Sequence, residues 1–241
     1  MINGGWWVLL GAFVAAYLIG SIPFAYLIVK GVTGEDITVH GSGNVGSMNV
    51  RRTTGSWGWF AAAVLGDGLK GLLPAFIAKI CSTGAPIWSA AALKPWAQTL
   101  SSTSTAWWQE PLLWVPMAAV AGSVLGHNYS AWMVLIERRF GRTGKGLATG
   151  AGALLAYDWR YFSAVLIVGL AVIALTRYLM AGQVAAALTL PVTAWVLRAP
   201  DWPFALAMGA LVYAAHHKRF MGLLAGREPK LYIHDDSGPR G

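Results

Sequence analysis

The sequence predicts an all-α, polytopic integral membrane protein with about seven transmembrane helices, and three observations carry that prediction. Of its 241 residues, 56% are hydrophobic and only 12% charged, about half the charged share of an ordinary soluble domain, which is roughly 25%. Apolar runs recur along the whole chain, several approaching the ~20 residues a helix needs to cross ~30 Å of hydrocarbon. Basic residues gather in alternate loops, as they do on the cytoplasmic side of membrane proteins. An ordinary soluble domain is thereby excluded, and the net charge of +8 reads as topology rather than as a nucleic-acid surface.

The first span covers residues 5–29; no basic stretch or trusted cleavage pattern accompanies it, so a retained helix is expected rather than a signal peptide. The second, 58–80, contains GDGLKG, which sets Asp67 and Lys70 one helical turn apart on one face. Charges inside a membrane are costly and turn toward a polar interior, so this pair reads as an internal ion pair bracing a site. The third, 111–135, contains GHNYS with His127 and Asn128. A short, glycine-rich fourth follows at 146–158, then a fifth at 160–178, a sixth at 182–198 and a seventh at 203–217.

Charge supports counting seven. Lys30, Arg51, Arg52, Arg138, Arg139, Arg142, Lys145, Arg177, Lys218, Arg219, Arg227, Lys230 and Arg240 fall in one set of loops, against Lys79, Lys94, Arg160 and Arg198 in the other. This bias puts the N-terminus outside and the C-terminus in the cytoplasm of a multi-pass cell-membrane protein. Merging the fourth span with the fifth would scramble it. Tryptophans near predicted span ends, such as Trp6, Trp7, Trp107, Trp108, Trp159 and Trp202, fit an interfacial belt. Residues 1–231 read as one transmembrane domain and 232–241 as a polar cytoplasmic tail. The single cysteine, Cys81, excludes an internal disulfide.

The most informative stretch is HGSGNVGSMNVRR, residues 40–52. Gly41, Gly43 and Gly46 let the backbone approach an anion closely, while Ser42, Asn44, Ser47 and Asn49 offer donors. Arg51 and Arg52 follow, and a guanidinium can hold a phosphate through two parallel hydrogen bonds. A plain turn between spans has no need of so many donors, so the loop reads as a phosphate cradle. It is not a Walker A loop, because no lysine followed by Ser or Thr closes it.

A second glycine-rich basic loop, GRTGKGLATGAG, occupies 141–152. Gly144, Lys145 and Gly146 precede a predicted helix, where an ammonium group, backbone amides and the helix dipole can converge on one anion. The alternative is charge that merely sets topology. His127 can serve as a base, a phosphate ligand or a helix cap, with Asn128 beside it. His216 and His217, followed by Lys218 and Arg219, end the seventh span; they offer a headgroup-gripping cluster or a substrate contact. No H-E-x-x-H, C-x-x-C, G-x-S-x-G or H-x-x-x-x-D pattern is present, so no metal is expected, and anion binding with proximity is favoured over carboxylate base catalysis.

Taken together, GSIPFAYLIVK, HGSGNVGSMNVRRTTG, DGLKG, GHNYS, GKGLAT, TRY and AGREPK, in that order over about residues 20–231, resemble the bacterial acyl-phosphate:glycerol-3-phosphate acyltransferases. The first-loop motif is the most specific of these. The resemblance implies a seven-helix enzyme that moves an acyl chain from acyl phosphate to the sn-1 hydroxyl of glycerol 3-phosphate, giving lysophosphatidic acid for phospholipid synthesis. It implies no metal or cofactor, no nucleic acid, and membrane lipids as surroundings. By that resemblance Ser42, Gly43, Asn44, Asn49 and Arg52 hold phosphate, Lys145 holds and polarises one, and His216 matches a histidine near the family's C-terminus. Two motifs depart: Thr143 stands where F-K-G-G-K-G has glycine, and Lys218 and Arg219 stand where R-H-R-E-N has Glu and Asn. These departures keep open a related lipid enzyme with another acceptor, and a carrier of small phosphorylated anions is the rival from a different class.

Overall fold

In a computed structural model, residues 5–86, 89–102, 110–138, 140–228 and 230 are described, and every regular element among them is helical. Trp107, Trp108, Arg139, Arg240 and the predicted tail 232–241 lie outside the described residues. The helices are α1 Gly5–Gly20, α2 Phe24–Thr33, α3 Ser47–Thr54, α4 Trp57–Thr83, α5 Ala90–Leu93, α6 Trp96–Ser101, α7 Val115–Asn128, α8 Ala131–Glu137, α9 Leu147–Tyr157, α10 Trp159–Thr176, α11 Leu179–Val196 and α12 Trp202–Leu224. Among the described residues, four segments are long and apolar enough to cross a membrane: 5–33, 57–83, 159–176 and 179–196. The expected seven includes three further spans, over which α7, α9 and α12 form without meeting that criterion.

Two of the expected spans are broken, for identifiable reasons. Residues 5–29 are interrupted between α1 and α2 at Pro23, because proline disfavours helical geometry in the residue before it and donates no backbone hydrogen bond. Residues 111–135 end their main helix at Asn128, and α8 restarts after Ser130, whose hydroxyl accepts from the Met133 amide. A serine N-cap of this kind satisfies a donor the helix cannot.

The described residues form two compact units, one within residues 5–162 together with 199–201, the other within 163–198 together with 202–230. The first is built on helices pressed together at glycines. A Cβ on Gly126 would fall 2.2 Å from the Tyr17 carbonyl oxygen, and one on Gly122 2.5 Å from that of Phe13, so α7 lies backbone to backbone on α1. Between α4 and α9, Cβ atoms on Gly71 and Gly152 would lie 1.9 Å from Thr149 O and 2.0 Å from Gly68 O. Within a membrane the hydrophobic effect does not drive helices together, and small residues secure packing by allowing such close approach.

The C-terminal end of α9 is anchored by a buried polar network. Lys79, counted among loop charges from the sequence, is instead within α4 and buried; its ammonium donates to Ala156 O at 2.7 Å. Asp201 accepts from the Tyr157 and Tyr161 hydroxyls at 2.6 and 2.7 Å. Burial raises the Asp201 pKa above the ordinary carboxylate value, with the two phenols opposing. Arg160 grips the Asp158 carboxylate with two donors. In the second unit, glycine again sets the spacing: a Cβ on Gly209 of α12 would lie 2.7 Å from Ala187 O of α11.

Candidate active site

The first glycine-rich loop folds around one side chain. Asn49, in the first turn of α3 and 1% exposed, donates from Nδ2 to the carbonyls of Ile37 and His40, each at 3.0 Å, and its Oδ1 accepts from the Ser42 amide at 3.2 Å. Both ends of its amide are thus engaged by the loop. Gly41 (φ 54°) and Gly43 (φ 66°) take left-handed backbone, which a side chain would oppose. A Cβ on Gly41 would also meet Asn49 Oδ1 at 2.2 Å. This fold leaves the side chains of Ser42 and Arg52 exposed and that of Asn44 half-buried. Gly46 forms the N-cap of α3.

The second loop descends from α8 to α9. Gly146 (φ 76°) is the N-cap of α9, with no side chain capping the helix, so Lys145 stands beside amides whose dipoles favour an anion. A Cβ on Gly146 would lie 3.0 Å from Asn128 Oδ1 and 3.1 Å from Val124 Cγ1, which places the start of α9 on the end of α7. Asn128 Oδ1 and Thr149 Oγ1 are buried beside this start and make no hydrogen bond among the described residues.

The two loops meet. The Val45 amide donates to the Thr143 carbonyl at 2.9 Å, and the Thr143 amide donates to Asn128 O, also at 2.9 Å. The seven residues expected at the site from the first loop, Gly41, Ser42, Gly43, Asn44, Gly46, Asn49 and Arg52, therefore lie in a segment joined to the loop that carries Gly144, Lys145 and Gly146, beside His127 and Asn128. His216 and Arg219 belong to the second unit and are described there.

Beneath the second loop lies a charged cluster. Asp67 pairs with Lys70 at 2.8 Å and with His127 Nδ1 at 3.6 Å, and all three are buried. The Lys70 ammonium also donates to Ile22 O at 2.7 Å, in the break between α1 and α2. The expected ion pair is present, and it takes in a histidine that the sequence had set nearer to substrate. Sequence reasoning missed Thr143, passing it over as a departure, and Ser130. An S/T residue beside a helix end was the available signal, because such residues satisfy terminal backbone groups.

In the second unit, His216 is buried and its Nδ1 lies 2.8 Å from Val212 O one turn back. A carbonyl only accepts, so Nδ1 carries the proton and a neutral ring keeps its lone pair on Nε2. His217 is exposed and bonds Ala214 O in the same way. Arg219 is held by both carboxylate oxygens of Glu228, which returns after the turn at Gly226.

A family model described as glycerol-3-phosphate acyltransferase matches residues 10–226. A glycerol-3-phosphate acyltransferase of Synechococcus sp. (strain JA-3-3Ab) is 35% identical over 228 residues, covering 94% of this chain and 95% of the relative. One from Gluconobacter oxydans is 34% identical over 223 residues, 90% of each chain. Among solved structures, the integral membrane glycerol 3-phosphate acyltransferase PlsY (YgiH) in its glycerol 3-phosphate form superposes with a TM-score of 0.71 at 30% identity, over 92% of this chain and 94% of that one. Its lysophosphatidic acid form gives 0.70 at 29%, with the same coverage.

Proposed function

The chain belongs to the glycerol-3-phosphate acyltransferase family, and from that premise we propose that it draws its acyl group from an acyl phosphate at a pocket built on the two glycine-rich loops. It is a multi-pass membrane acyltransferase whose acceptor is glycerol 3-phosphate and whose product is lysophosphatidic acid. The single observation that carries the two-phosphate reading is the Val45 to Thr143 backbone bond, which draws two anion-binding loops into one region. Such a region suits a reaction whose donor and acceptor each carry a phosphate.

In this reading the exposed Ser42 and Arg52, with Asn44 and the amides around Gly43, hold one phosphate, and Lys145 with the start of α9 holds the other. Gly41, Gly46 and Asn49 shape the first loop, and Gly144, Gly146, His127 and Asn128 shape the second. The acceptor's sn-1 hydroxyl attacks the acyl carbonyl. A carbon–oxygen ester bond forms, the acyl–phosphate bond breaks, and the departing phosphate takes the hydroxyl's proton, so no protein base is required. Fixing both reactants can lower the barrier by about 7–11 kcal/mol, and cations at the developing negative charge add to this.

The charge distribution supports placing both loops in the cytoplasm and the N-terminus outside, in the cell membrane. The test is incubation of purified protein with palmitoyl phosphate and labelled glycerol 3-phosphate. Lysophosphatidic acid formed by the native chain, and lost in folded Ser42→Ala and Lys145→Ala variants, supports the reading; full activity in those variants, or activity with acyl-CoA but none with acyl phosphate, overturns it.

A further inference from the structure

One residue joins every part of the first unit that the transfer uses. Helix α7 ends at Asn128, and the last carbonyls of a helix lack partners within it. Thr143 supplies them: its hydroxyl donates to His127 O at 2.9 Å and lies 3.3 Å from Asn128 O, while its amide donates to Asn128 O at 2.9 Å. The same hydroxyl accepts from the Ser130 amide at 3.3 Å, across the turn into α8. Its carbonyl accepts from Val45 and so suspends the first loop. That turn is itself fastened to the break between α1 and α2, because the Ser130 hydroxyl donates to Ser21 O and the Tyr17 hydroxyl to Tyr129 O.

We propose that Thr143 is a positioning residue for acyl transfer: its hydroxyl fixes the second loop on the end of α7, and its carbonyl hangs the first loop from the same point, so the two anion sites keep one spacing. The proposal rests on the acyl-phosphate reading above. Thr143 touches neither reactant in this account; it acts through Lys145, two residues on, and through the first loop. Its hydroxyl matters because the carbonyl bond to Val45 is available to any residue at 143, whereas the register of that carbonyl is set by the side chain's bonds to α7 and α8.

The test compares the native protein with Thr143→Val, which keeps the shape and removes the hydroxyl, and Thr143→Ser, which keeps the hydroxyl. Three quantities are read: thermal unfolding in detergent, kcat and KM for palmitoyl phosphate and glycerol 3-phosphate, and calorimetric binding of glycerol 3-phosphate with and without inorganic phosphate. A 1 Å misplacement can cost about 100-fold in rate, so Thr143→Val is expected to lose roughly 10- to 100-fold in kcat. KM values should change by less than about 3-fold, and Thr143→Ser should return to within about 3-fold of native kcat. In the native protein inorganic phosphate should alter glycerol 3-phosphate affinity, and Thr143→Val should abolish that linkage.

Native kcat in Thr143→Val, or a Thr143→Ser variant as impaired as Thr143→Val at equal thermal stability, overturns the proposal. If Thr143→Val does not fold, Thr143→Ser and Thr143→Ala decide by the same comparison. Absence of product from the native chain counts against the acyl-phosphate reading alone. The binding linkage then still decides the role of Thr143, and equal linkage in the native and variant proteins overturns it.

Discussion

Gly144 rests against the imidazole of His127 so closely that a Cβ on it would fall 2.2 Å from Nε2 and 2.4 Å from Cδ2. On the ring's other side, Nδ1 lies 3.6 Å from Asp67 Oδ1. The imidazole is therefore clasped between a carboxylate inside the helix bundle and the backbone of the loop that carries Lys145. A histidine so placed supports the loop that carries Lys145.

Gly144→Ala should displace either the ring or the loop. Overpacking of this kind costs about 1–3 kcal/mol, and the displaced loop carries Lys145, so kcat should fall by roughly 100-fold while the protein remains folded. The check is a double-mutant cycle in detergent. Because His127→Ala removes the obstructing ring, the Gly144→Ala/His127→Ala pair should be less impaired than the two single losses combined. Strict additivity would show that the two residues do not act through this contact.

Asp67 is shared by Lys70 and His127, which predicts an asymmetric pattern of stability. Asp67→Asn leaves the buried Lys70 ammonium without its carboxylate, and breaking a buried pair on one side costs about 3–5 kcal/mol. Replacing both members by apolar residues, Asp67→Leu with Lys70→Met, removes both charges and should cost less than Asp67→Asn alone. Thermal unfolding of the three proteins in one detergent measures the difference, and a double variant worse than the single one would mean that the pair, beyond balancing charge, has to be present.

Much of this arrangement was legible in the sequence, and the reasons for the remainder are local. Gly41 and Gly43 could be singled out because close approach and unusual backbone are what glycine supplies, and both take positive φ. Asp67 and Lys70 could be paired because positions three apart share a helix face. Asn49 was read as a phosphate contact, whereas its amide is engaged on Ile37 O, His40 O and the Ser42 amide. Residue spacing does not reveal whether a polar side chain faces a ligand or its own loop. The breaks at Pro23 and Ser130 disappear under hydropathy averaged over a span, because apolar runs lie on both sides of each short polar interruption. Thr143 looked like a lost glycine because its four partners are distant in sequence, and only tertiary structure brings them to its hydroxyl and backbone.

Arg219 was expected to touch substrate, yet Glu228 occupies its guanidinium with two hydrogen bonds. Arg219→Ala should then raise the KM for glycerol 3-phosphate by less than about 3-fold, whereas Arg52→Ala, which removes an exposed cation of the first loop, should raise it more than about 10-fold, the equivalent of one lost charge-assisted hydrogen bond of about 1.5–3 kcal/mol. Equal KM effects of Arg52→Ala and Arg219→Ala would return Arg219 to the substrate.

The close seam between α4 and α9 links packing to chemistry most directly. Gly71 and Gly152 each face backbone, at would-be Cβ distances of 1.9 Å from Thr149 O and 2.0 Å from Gly68 O, and backbone cannot rotate aside as a side chain can. Either glycine changed to alanine must therefore separate the two helices. Because Gly146, directly after Lys145, is the N-cap of α9, displacement of the helix moves the ammonium and the helix-end amides together. Gly71→Ala and Gly152→Ala should each lose more than about 100-fold in kcat, and each should lower thermal stability by an amount at or above the roughly 1–3 kcal/mol of overpacking. Gly150→Ala is the control on the same helix: among the described residues a Cβ there would meet Val124 Cγ2 alone, at an ordinary 3.8 Å, and alanine is the better helix former by about 1 kcal/mol. That variant should be as stable as the native protein or more so. If Gly150→Ala proved as damaging as Gly152→Ala, the close α4–α9 seam would not be what holds Lys145 in place.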